Sequence, residues 1–210
     1  MAANATLRVD PARAALVIVD MQNDFCSADG YYAGAGRDIS ELAAAIGPVA
    51  ALLAMARAAG MTIVFTRLVH DARGAMEERH ELRPKRWSAS GERLRPGSRG
   101  AEVVDALKPM PGEIVIDKAG YSAFDATKLE EELRRRGVKT LILCGVVTYA
   151  CVLATGFSAF DRGFDVILAT EAAGSWKPEL GTATEQIVDL LLGHSVSIDD
   201  IELAEPALST

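Results

Sequence analysis

The sequence predicts an α/β fold, namely a doubly wound, three-layer αβα domain around a six-stranded, mainly parallel sheet of the Rossmann type. Two observations lead to this prediction. Short apolar runs alternate with helical patterns along the chain. Those runs are apolar on both faces, as strands covered by helices on both sides should be. A length of 210 residues suits one domain, so we expect residues 1–210 to form a single unit.

The strands are predicted from six short apolar runs that favour extended structure. In chain order they are Ala14–Asp20, Met61–Arg67, Glu113–Lys118, Val138–Cys144, Phe164–Thr170 and His194–Ile198. Helical patterns lie between them, at about Ser40–Ala59, Arg99–Leu107, Ala126–Arg136, Cys151–Arg162 and Pro178–Leu192. A glycine follows four of these helices, where we expect a left-handed conformation to end the helix. These glycines are Gly60, Gly137, Gly163 and Gly193.

Two segments differ from this regular alternation. The helix predicted at Ser40–Ala59 is alanine-rich and nearly uncharged, so we expect it to be buried in this core or against another subunit. Residues 71–99 form a long, polar, arginine-rich stretch, and long loops in compact domains are usually functional or disordered. Two interpretations stay open, a solvated insertion or a lid, in cis or in trans, that supplies a cation to an anionic substrate.

Composition argues against several classes of partner. The net charge of −7 and the pI near 5.0 disfavour a nucleic acid or an anionic membrane surface. We expect neither a signal peptide nor a membrane helix, because no apolar stretch approaches the ~20 residues that a membrane span needs. The three cysteines match no zinc spacing, and their low count favours a reducing, cytoplasmic setting.

Three chemically active side chains fall at the carboxyl ends of predicted strands, where open parallel sheets bind ligands. They are Asp20, Lys118 and Cys151. Cys151 follows a strand and begins a helix, and the free N–H groups and dipole of a helix start are expected to lower the pKa of its thiol. Each residue alone has a plainer interpretation: an inert buried cysteine, a capping aspartate or a solvated lysine. Their shared location favours one active site.

This set predicts nucleophilic catalysis. Asp20 would take the proton of the Cys151 thiol, and Lys118 would keep Asp20 ionised. The thiolate would attack a carbonyl carbon, while backbone N–H groups of the turn, including that of Cys151, would stabilise the oxyanion. A protonated Asp20 would then release an amine, and water would hydrolyse the thioester with Asp20 as base.

Three motifs in this order resemble those of the isochorismatase-like cysteine hydrolases. They are Leu16–Phe25, Glu113–Phe124 and Gly145–Val152, the last followed by Ala159–Gly163. The family includes nicotinamidases, N-carbamoylsarcosine amidase, biuret hydrolase and ureidoacrylate amidohydrolase. The resemblance implies a cis peptide at Val146–Val147 that aims the N–H groups of Val147 and Cys151 at the oxyanion. It also implies a homo-oligomer, a dimer or tetramer.

The resemblance extends to substrate contacts. Phe25 matches a position that lines the family's substrate pocket, although an ordinary core aromatic is an equal interpretation. The Lys118-x-x-Tyr-Ser-Ala-Phe stretch looks closest to the ureido-type amidohydrolases and makes Tyr121 a candidate contact. Arg67, at a strand end, would hold a substrate carboxylate in a bidentate fork, or else pair with a structural acid.

One departure from the family narrows the substrate. Nicotinamidases carry an Asp-x-His motif, with further histidines, that binds a metal; here Leu68 stands at the aspartate position and His70 at the histidine. We therefore expect no metal and no cofactor. The leading hypothesis is a metal-independent cysteine hydrolase that cleaves a C–N bond of a small amide or ureido compound. The alternatives are a nicotinamidase or isochorismatase of the same fold, or a non-catalytic binding subunit.

Overall fold

A computed structural model of the protein describes residues 6–70 and 93–204, and a six-stranded parallel sheet lies at its centre. The strands are β1 (Leu7–Val9), β2 (Ala14–Val19), β3 (Thr62–Leu68), β4 (Ile114–Lys118), β5 (Thr140–Val146), β6 (Asp165–Gly174), β7 (Gly193–Val196) and β8 (Ile201–Leu203). The sheet runs in the order β4-β3-β2-β5-β6-β7, with every pair parallel, while β1 and β8 pair separately. The predicted doubly wound fold is confirmed.

Seven α-helices accompany the strands in the described residues. They are α1 (Asn23–Cys26), α2 (Tyr31–Gly34), α3 (Ser40–Ala44), α4 (Ile46–Ala58), α5 (Leu129–Arg135), α6 (Leu153–Phe160) and α7 (Pro178–Ile187). A π-helical turn, Thr148–Val152, leads into α6, and a second, Val188–Leu192, extends α7. The predicted helix at Ser40–Ala59 is thus two helices in succession, and those at Cys151–Arg162 and Pro178–Leu192 each combine a helix with a π-helical turn.

The sheet separates two hydrophobic cores, because successive side chains of a strand point to opposite faces. In β2, Leu16 and Ile18 join the core beneath α4, whereas Val17 and Val19 join the core beneath α5 and α6. All six residues of this strand are buried, which explains why the sequence shows no polar alternation there. The three-layer arrangement follows directly from this two-sided burial.

The predicted helix at Arg99–Leu107 is wrong. The segment forms two short 3₁₀ turns, Arg99–Ala101 and Asp105–Leu107. Its carbonyl groups are taken by side chains from another part of the chain: Gln22 donates to Ala101 O and Asn23 to Arg99 O, both at 2.9 Å. Partners of this kind replace the hydrogen bonds that a helix would have made.

Three of the four predicted glycine caps are confirmed. Gly60, Gly137 and Gly163 have φ angles of 66°, 69° and 75°. Gly193 is different, because its backbone is extended and it begins β7. A Cβ at Gly193 would lie 2.0 Å from the carbonyl oxygen of Val166, so glycine is required there for the close approach of β6 and β7.

The apolar helical stretch Ser40–Ala58 bears on the expectation that the chain has no membrane helix. It is long and apolar enough, by length and composition alone, to cross a membrane, with a mean hydropathy of 1.5. One third of this stretch is buried inside the protein, where Val49, Leu52 and Leu53 of α4 pack into the core on one face of the sheet. This packing is that of a core helix. Burial of its remaining surface against another subunit stays a prediction.

Most of the predicted lid-like insertion, residues 71–92, lies outside the described residues. Its described end begins with Arg93 and Leu94, both buried. The N–H of His70 donates to Leu94 O at 2.9 Å, and the N–H of Leu94 donates to the Asp24 carboxylate at 2.6 Å. His70 and Leu94, on the two sides of this stretch, are therefore held close together beside Asp24 of α1.

The strand order also defines the crevice in which a ligand would bind. Strands β2 and β5 are neighbours, and the chain winds from them toward opposite edges of the sheet, so their carboxyl ends form a topological switch point. Gly145, in β5, has a φ of 104°, and a Cβ there would lie 2.1 Å from Val19 O. Glycine at this position therefore lets the two strands meet at the crevice.

Candidate active site

Asp20, Lys118 and Cys151 meet at this switch point, as the sequence predicts. Asp20 directly follows β2, Lys118 ends β4, and Cys151 lies in the π-helical turn after β5. All three are buried, and the Asp20 carboxylate and the Lys118 ammonium both act on the pKa of the Cys151 thiol, the carboxylate raising it and the ammonium lowering it. The acid, the base and the thiol are thus neighbours in one buried group.

The carboxylate and the ammonium form a fully buried ion pair. Lys118 Nζ lies 2.7 Å from Asp20 Oδ2, and neither side chain has any exposed surface. The ammonium also donates to the carbonyl oxygen of Gly120 at 3.0 Å. Two charges removed from water need such close pairing and further hydrogen bonds to offset the cost of desolvation. The pair therefore fixes the relative positions of β2 and β4 at the site.

Thr66 is a site residue that sequence reasoning missed. Its hydroxyl donates to Asp20 Oδ1 at 2.7 Å, and its side chain is fully buried. The N–H of Asp20 in turn donates to Thr66 Oγ1 at 3.2 Å. The contact depends on the register of β2 and β3, in which Val19 pairs with Thr66. The sequence did offer a signal for Thr66. It directly follows the apolar run Ile63-Val64-Phe65, and a buried hydroxyl there requires a hydrogen-bond partner.

The expected depression of the Cys151 pKa is wrong. Burial and the neighbouring Asp20 carboxylate both raise the pKa of this thiol, and Lys118 lowers it too little to compensate. The residue lies in a π-helical turn whose surroundings are dry, so desolvation outweighs the helix start. The protonated thiol is therefore the form favoured at neutral pH, beside the carboxylate that would accept its proton.

Lys118 carries its charge through the neutral range. Burial alone would lower the pKa of this ammonium, but the Asp20 carboxylate and then the Cys151 sulfur stabilise the charged form. The net result is a pKa above the ordinary value of lysine. Because its folded-state pKa is raised, Lys118 contributes its stabilising charge at neutral pH and loses it only in strongly alkaline solution.

The other two cysteines are buried as well. Burial raises the pKa of Cys26 to about 12, and the Asp20 carboxylate adds to the effect. Burial alone raises the pKa of Cys144, whose sulfur lies 3.7 Å from Val17 O. Among the three, Cys151 is the one whose pKa responds to both the carboxylate and the ammonium, and the interpretation of Cys26 and Cys144 as inert core residues fits their burial.

The turn before Cys151 has the backbone that the resemblance implies. The Val146–Val147 peptide is cis. The N–H groups of Ala150 and Val152 donate to Val147 O at 3.0 and 3.3 Å, and Thr148 Oγ1 donates to Gly174 O at 2.7 Å. These bonds hold the turn in one shape. That Val147 and Cys151 direct their N–H groups at an oxyanion stays a prediction.

The residues that follow Asp20 fasten the surrounding segments to the site. Gln22 is fully buried; its Oε1 accepts from Leu68 N at 2.8 Å, and its Nε2 donates to Leu68 O at 2.9 Å. The Asp24 carboxylate accepts from the N–H groups of Tyr31 and Leu94. The sequence motif therefore has a physical role beyond Asp20 itself, since each polar side chain holds a different neighbouring segment.

The three predicted substrate contacts have different surroundings. Phe25 is buried and stacks on Tyr32, with ring centroids 5.2 Å apart, and lies 6.1 Å from the Trp176 ring. Tyr121 is 43% exposed in the loop after Lys118. Arg67 forms a bidentate pair with Asp117, at 2.6 and 2.9 Å. The structure favours the structural-acid interpretation for Arg67, while pocket roles for Phe25 and Tyr121 stay predictions.

Leu68, an apolar side chain, stands where the nicotinamidase motif has its metal-binding aspartate. Leu68 is buried in the core, and its main chain is held by Gln22. Within residues 6–70 and 93–204, no group of three or more His, Cys, Asp or Glu side chains is placed to hold a metal ion. The donor set described around His70 therefore does not fit such a site.

Removing one member of the buried ion pair should destabilise the fold strongly. We expect Asp20→Asn or Lys118→Met to lower the free energy of unfolding by about 3–5 kcal/mol, because each leaves one buried charge without its partner. The double variant should lose much less than the sum of the two losses. Urea unfolding of the two single variants and the double variant measures these three losses of free energy of unfolding.

The exposed pair of Arg67 and Asp117 supplies the control. Asp117→Asn should cost less than about 1 kcal/mol, since that pair is accessible to solvent. Equal, small losses for Asp20→Asn and Asp117→Asn would contradict the energetic role given to the buried pair.

Comparisons with known proteins agree with this architecture. The family model described as the isochorismatase domain matches residues 14–190. A ureidoacrylate amidohydrolase RutB from Methylobacterium radiotolerans is 35% identical over 214 residues, covering 96% of this chain and 82% of the relative.

Two solved structures share the fold. The N-carbamoylsarcosine amidase from Thermoplasma acidophilum has a TM-score of 0.73 and 26% identity, covering 90% of this chain and 99% of that one. The nicotinamidase PncA from Bacillus subtilis has a TM-score of 0.72 and 27% identity, covering 88% and 99%. With the domain match extending from β2 to the end of α7 and beyond, the chain belongs to the isochorismatase family of hydrolases.

Proposed function

We propose that this chain is a metal-independent cysteine amidohydrolase that cleaves a C–N bond of a small ureido compound through a thioester on Cys151. The observation that carries the proposal is the buried Asp20–Lys118 pair, which lies beside the Cys151 thiol and acts on its pKa through both members. A buried charge pair is costly to a fold, and its placement beside a nucleophile at the switch point has a chemical use.

The first half-reaction begins with the protonated thiol. As substrate binds, Asp20 accepts the proton of Cys151, and the sulfur attacks the ureido carbonyl carbon. Lys118 then balances the negative charge that has moved from the carboxylate to the sulfur. The N–H groups of Val147 and Cys151 would bind the developing oxyanion. Asp20 returns its proton to the departing nitrogen, so that the C–N bond breaks and a thioester remains.

The second half-reaction uses the same residues in the opposite sense. Asp20, ionised again, takes a proton from water, and the resulting hydroxide attacks the thioester carbonyl. The sulfur leaves and receives the proton from Asp20, which restores the resting thiol. With a ureido substrate, the product of either C–N cleavage is a carbamate, which decomposes to carbon dioxide and an amine or ammonia.

The leucine at position 68 favours a ureido substrate over a pyridine amide. Leu68 offers no ligand to a metal that would hold a pyridine nitrogen. The similarity to a ureidoacrylate amidohydrolase and to an N-carbamoylsarcosine amidase supports the same choice. Nicotinamidase and isochorismatase activities are the competing functions of this fold, and the similarity to PncA keeps the former in the test.

A carboxylate on the substrate requires a cation, and we propose Arg37 for this role in place of Arg67. The guanidinium of Arg37 lies over the rings of Tyr32 and Trp176, at 5.6 and 5.4 Å from their centroids. Its charge also reaches Tyr149, two residues before Cys151, where it opposes the rise in pKa that burial causes. This places a cation beside the aromatic cluster that includes Phe25.

Three wider expectations belong to the same proposal. Residues 1–210 would act as one domain. The three cysteines are all free thiols, which suits a reducing, cytoplasmic setting. A homo-oligomer would cover part of the apolar surface of α4.

Ammonia release measured over a panel of substrates tests the reaction. We expect turnover of ureidoacrylate, N-carbamoyl amino acids or biuret without added metal, and little or none of nicotinamide or maleamate. Cys151→Ser should lower this activity by at least about 10³-fold, because the hydroxyl is a far weaker nucleophile here. Cys144→Ala, which removes a core thiol outside the site, should retain it.

Three outcomes would overturn the proposal. Turnover of nicotinamide that depends on added zinc or iron would assign the chain to the nicotinamidases. Pyruvate release from isochorismate would assign enol-ether hydrolysis. Unchanged ammonia release by Cys151→Ser would remove the thioester.

Arg37→Gln tests carboxylate recognition. We expect KM for ureidoacrylate or an N-carbamoyl amino acid to rise about 10- to 100-fold, the range expected for loss of a charge-assisted hydrogen bond. For biuret, which has no carboxylate, KM should change by less than about threefold. Arg67→Gln is the matched control and should spare both, because Arg67 is engaged by Asp117. An equal effect of Arg37→Gln on charged and uncharged substrates would contradict the assignment.

A further inference from the structure

Besides Lys118, the Asp20 carboxylate has a second, uncharged hydrogen-bond partner, the hydroxyl of Thr66. Lys118 contacts Oδ2 at 2.7 Å, and Thr66 of β3, the strand between β2 and β4, contacts Oδ1 at the same distance. Both partners are buried, so the two carboxylate oxygens are held by different strands. The carboxylate therefore cannot rotate without breaking one of two buried hydrogen bonds.

The hydroxyl of Thr66 has its proton committed to the carboxylate. Its oxygen accepts the backbone N–H of Asp20 at 3.2 Å, and its single proton is donated to Oδ1 of the same residue. A hydroxyl has only one proton to give, and its acceptor side already faces a donor. The Thr66 hydroxyl thus bridges the amide N–H and the carboxylate of Asp20. The φ angle of Asp20 is 51°, which is uncommon for a residue other than glycine.

We propose that Thr66 is a positioning residue for catalysis, which holds the Asp20 carboxylate oriented to receive the Cys151 proton. The inference rests on the proposed function for its chemical meaning. It assigns Thr66 no contact with substrate. Its role is to keep one carboxylate oxygen engaged, so that the carboxylate stays fixed as the proton moves to and from the sulfur.

Packing alone does not account for a threonine here. The neighbouring residues of β3, Val64 and Phe65, are apolar and fully buried, and valine has nearly the shape of threonine. A buried hydroxyl carries a desolvation cost that only its hydrogen bonds offset. At Thr66 both hydrogen bonds go to Asp20, so the hydroxyl serves that residue.

The groups around Asp20 leave the orientation of its carboxylate to two partners. Cys151 lies in the π-helical turn and Cys26 in α1, and the Asp20 carboxylate adds to the rise that burial causes in the pKa of both thiols. Lys118 holds Oδ2 with its charge, and Thr66 holds Oδ1 with a neutral hydrogen bond. Removing the hydroxyl should therefore let the carboxylate turn about its contact with Lys118, which misplaces the proton acceptor and lowers the rate of the chemical step.

The test compares Thr66→Val with Thr66→Ser in the 210-residue chain. We expect kcat in Thr66→Val to fall about tenfold while KM changes by less than about threefold, because the proton acceptor is misplaced and the substrate contacts remain. Thr66→Ser, which keeps the hydroxyl, should retain kcat within about threefold of the wild-type value. If Thr66→Val folds poorly, as urea unfolding would show, Thr66→Ala supplies a second side chain without a hydroxyl.

The rate of Cys151 alkylation by iodoacetamide gives a readout that needs no substrate. This rate is expected to fall in Thr66→Val and to be retained in Thr66→Ser, because only the hydroxyl holds the proton acceptor in place. An equal effect of the two substitutions, or a loss in Thr66→Val that merely follows its unfolded fraction, would show a structural role and overturn the inference. If no substrate in the panel is turned over but the alkylation rate depends on the hydroxyl, the proposed function fails while the role of Thr66 stands.

Discussion

The buried ion pair of Asp20 and Lys118 is the interaction on which the rest of the site depends. It joins the ends of β2 and β4, which are not neighbours in the sheet, across the end of β3. Thr66 of β3 lies between them and binds the same carboxylate. Since a buried pair is stabilising only when its geometry is exact and its remaining hydrogen bonds are satisfied, the register of three strands is tied to the position of one carboxylate.

Burial and the pair together raise the pKa of the Cys151 thiol. Burial is the larger cause, and the carboxylate beside the sulfur adds to it by opposing a second negative charge, although Lys118 is near. In the proposed reaction the nucleophile is therefore formed by transfer of a proton to Asp20 as substrate binds, and Lys118 balances the negative charge in either position.

The sequence was sufficient for the fold class, the family and the three catalytic candidates, because each depends on local pattern: apolar strands, and charged or thiol residues at their ends. Features that depend on strand register or distant partners were not accessible in the same way. Thr66 was missed because only the pairing of β2 with β3 brings it to Asp20. The Arg99–Leu107 helix was wrong because side chains of Gln22 and Asn23 take its carbonyl groups. The pKa of Cys151 was wrong because burial is a tertiary property.

The central claim is that the proton of Cys151 passes to Asp20 and that the sulfur then carries the acyl group. Acid quench of the reaction within its first turnover, followed by mass spectrometry of the peptide containing Cys151, tests it most directly. The account predicts a substrate-derived mass on Cys151 in the wild type that is absent from Cys151→Ser and from Asp20→Asn. Turnover at the wild-type rate with no adduct on Cys151 at any quench time, or an adduct that forms undiminished in Asp20→Asn, would contradict it.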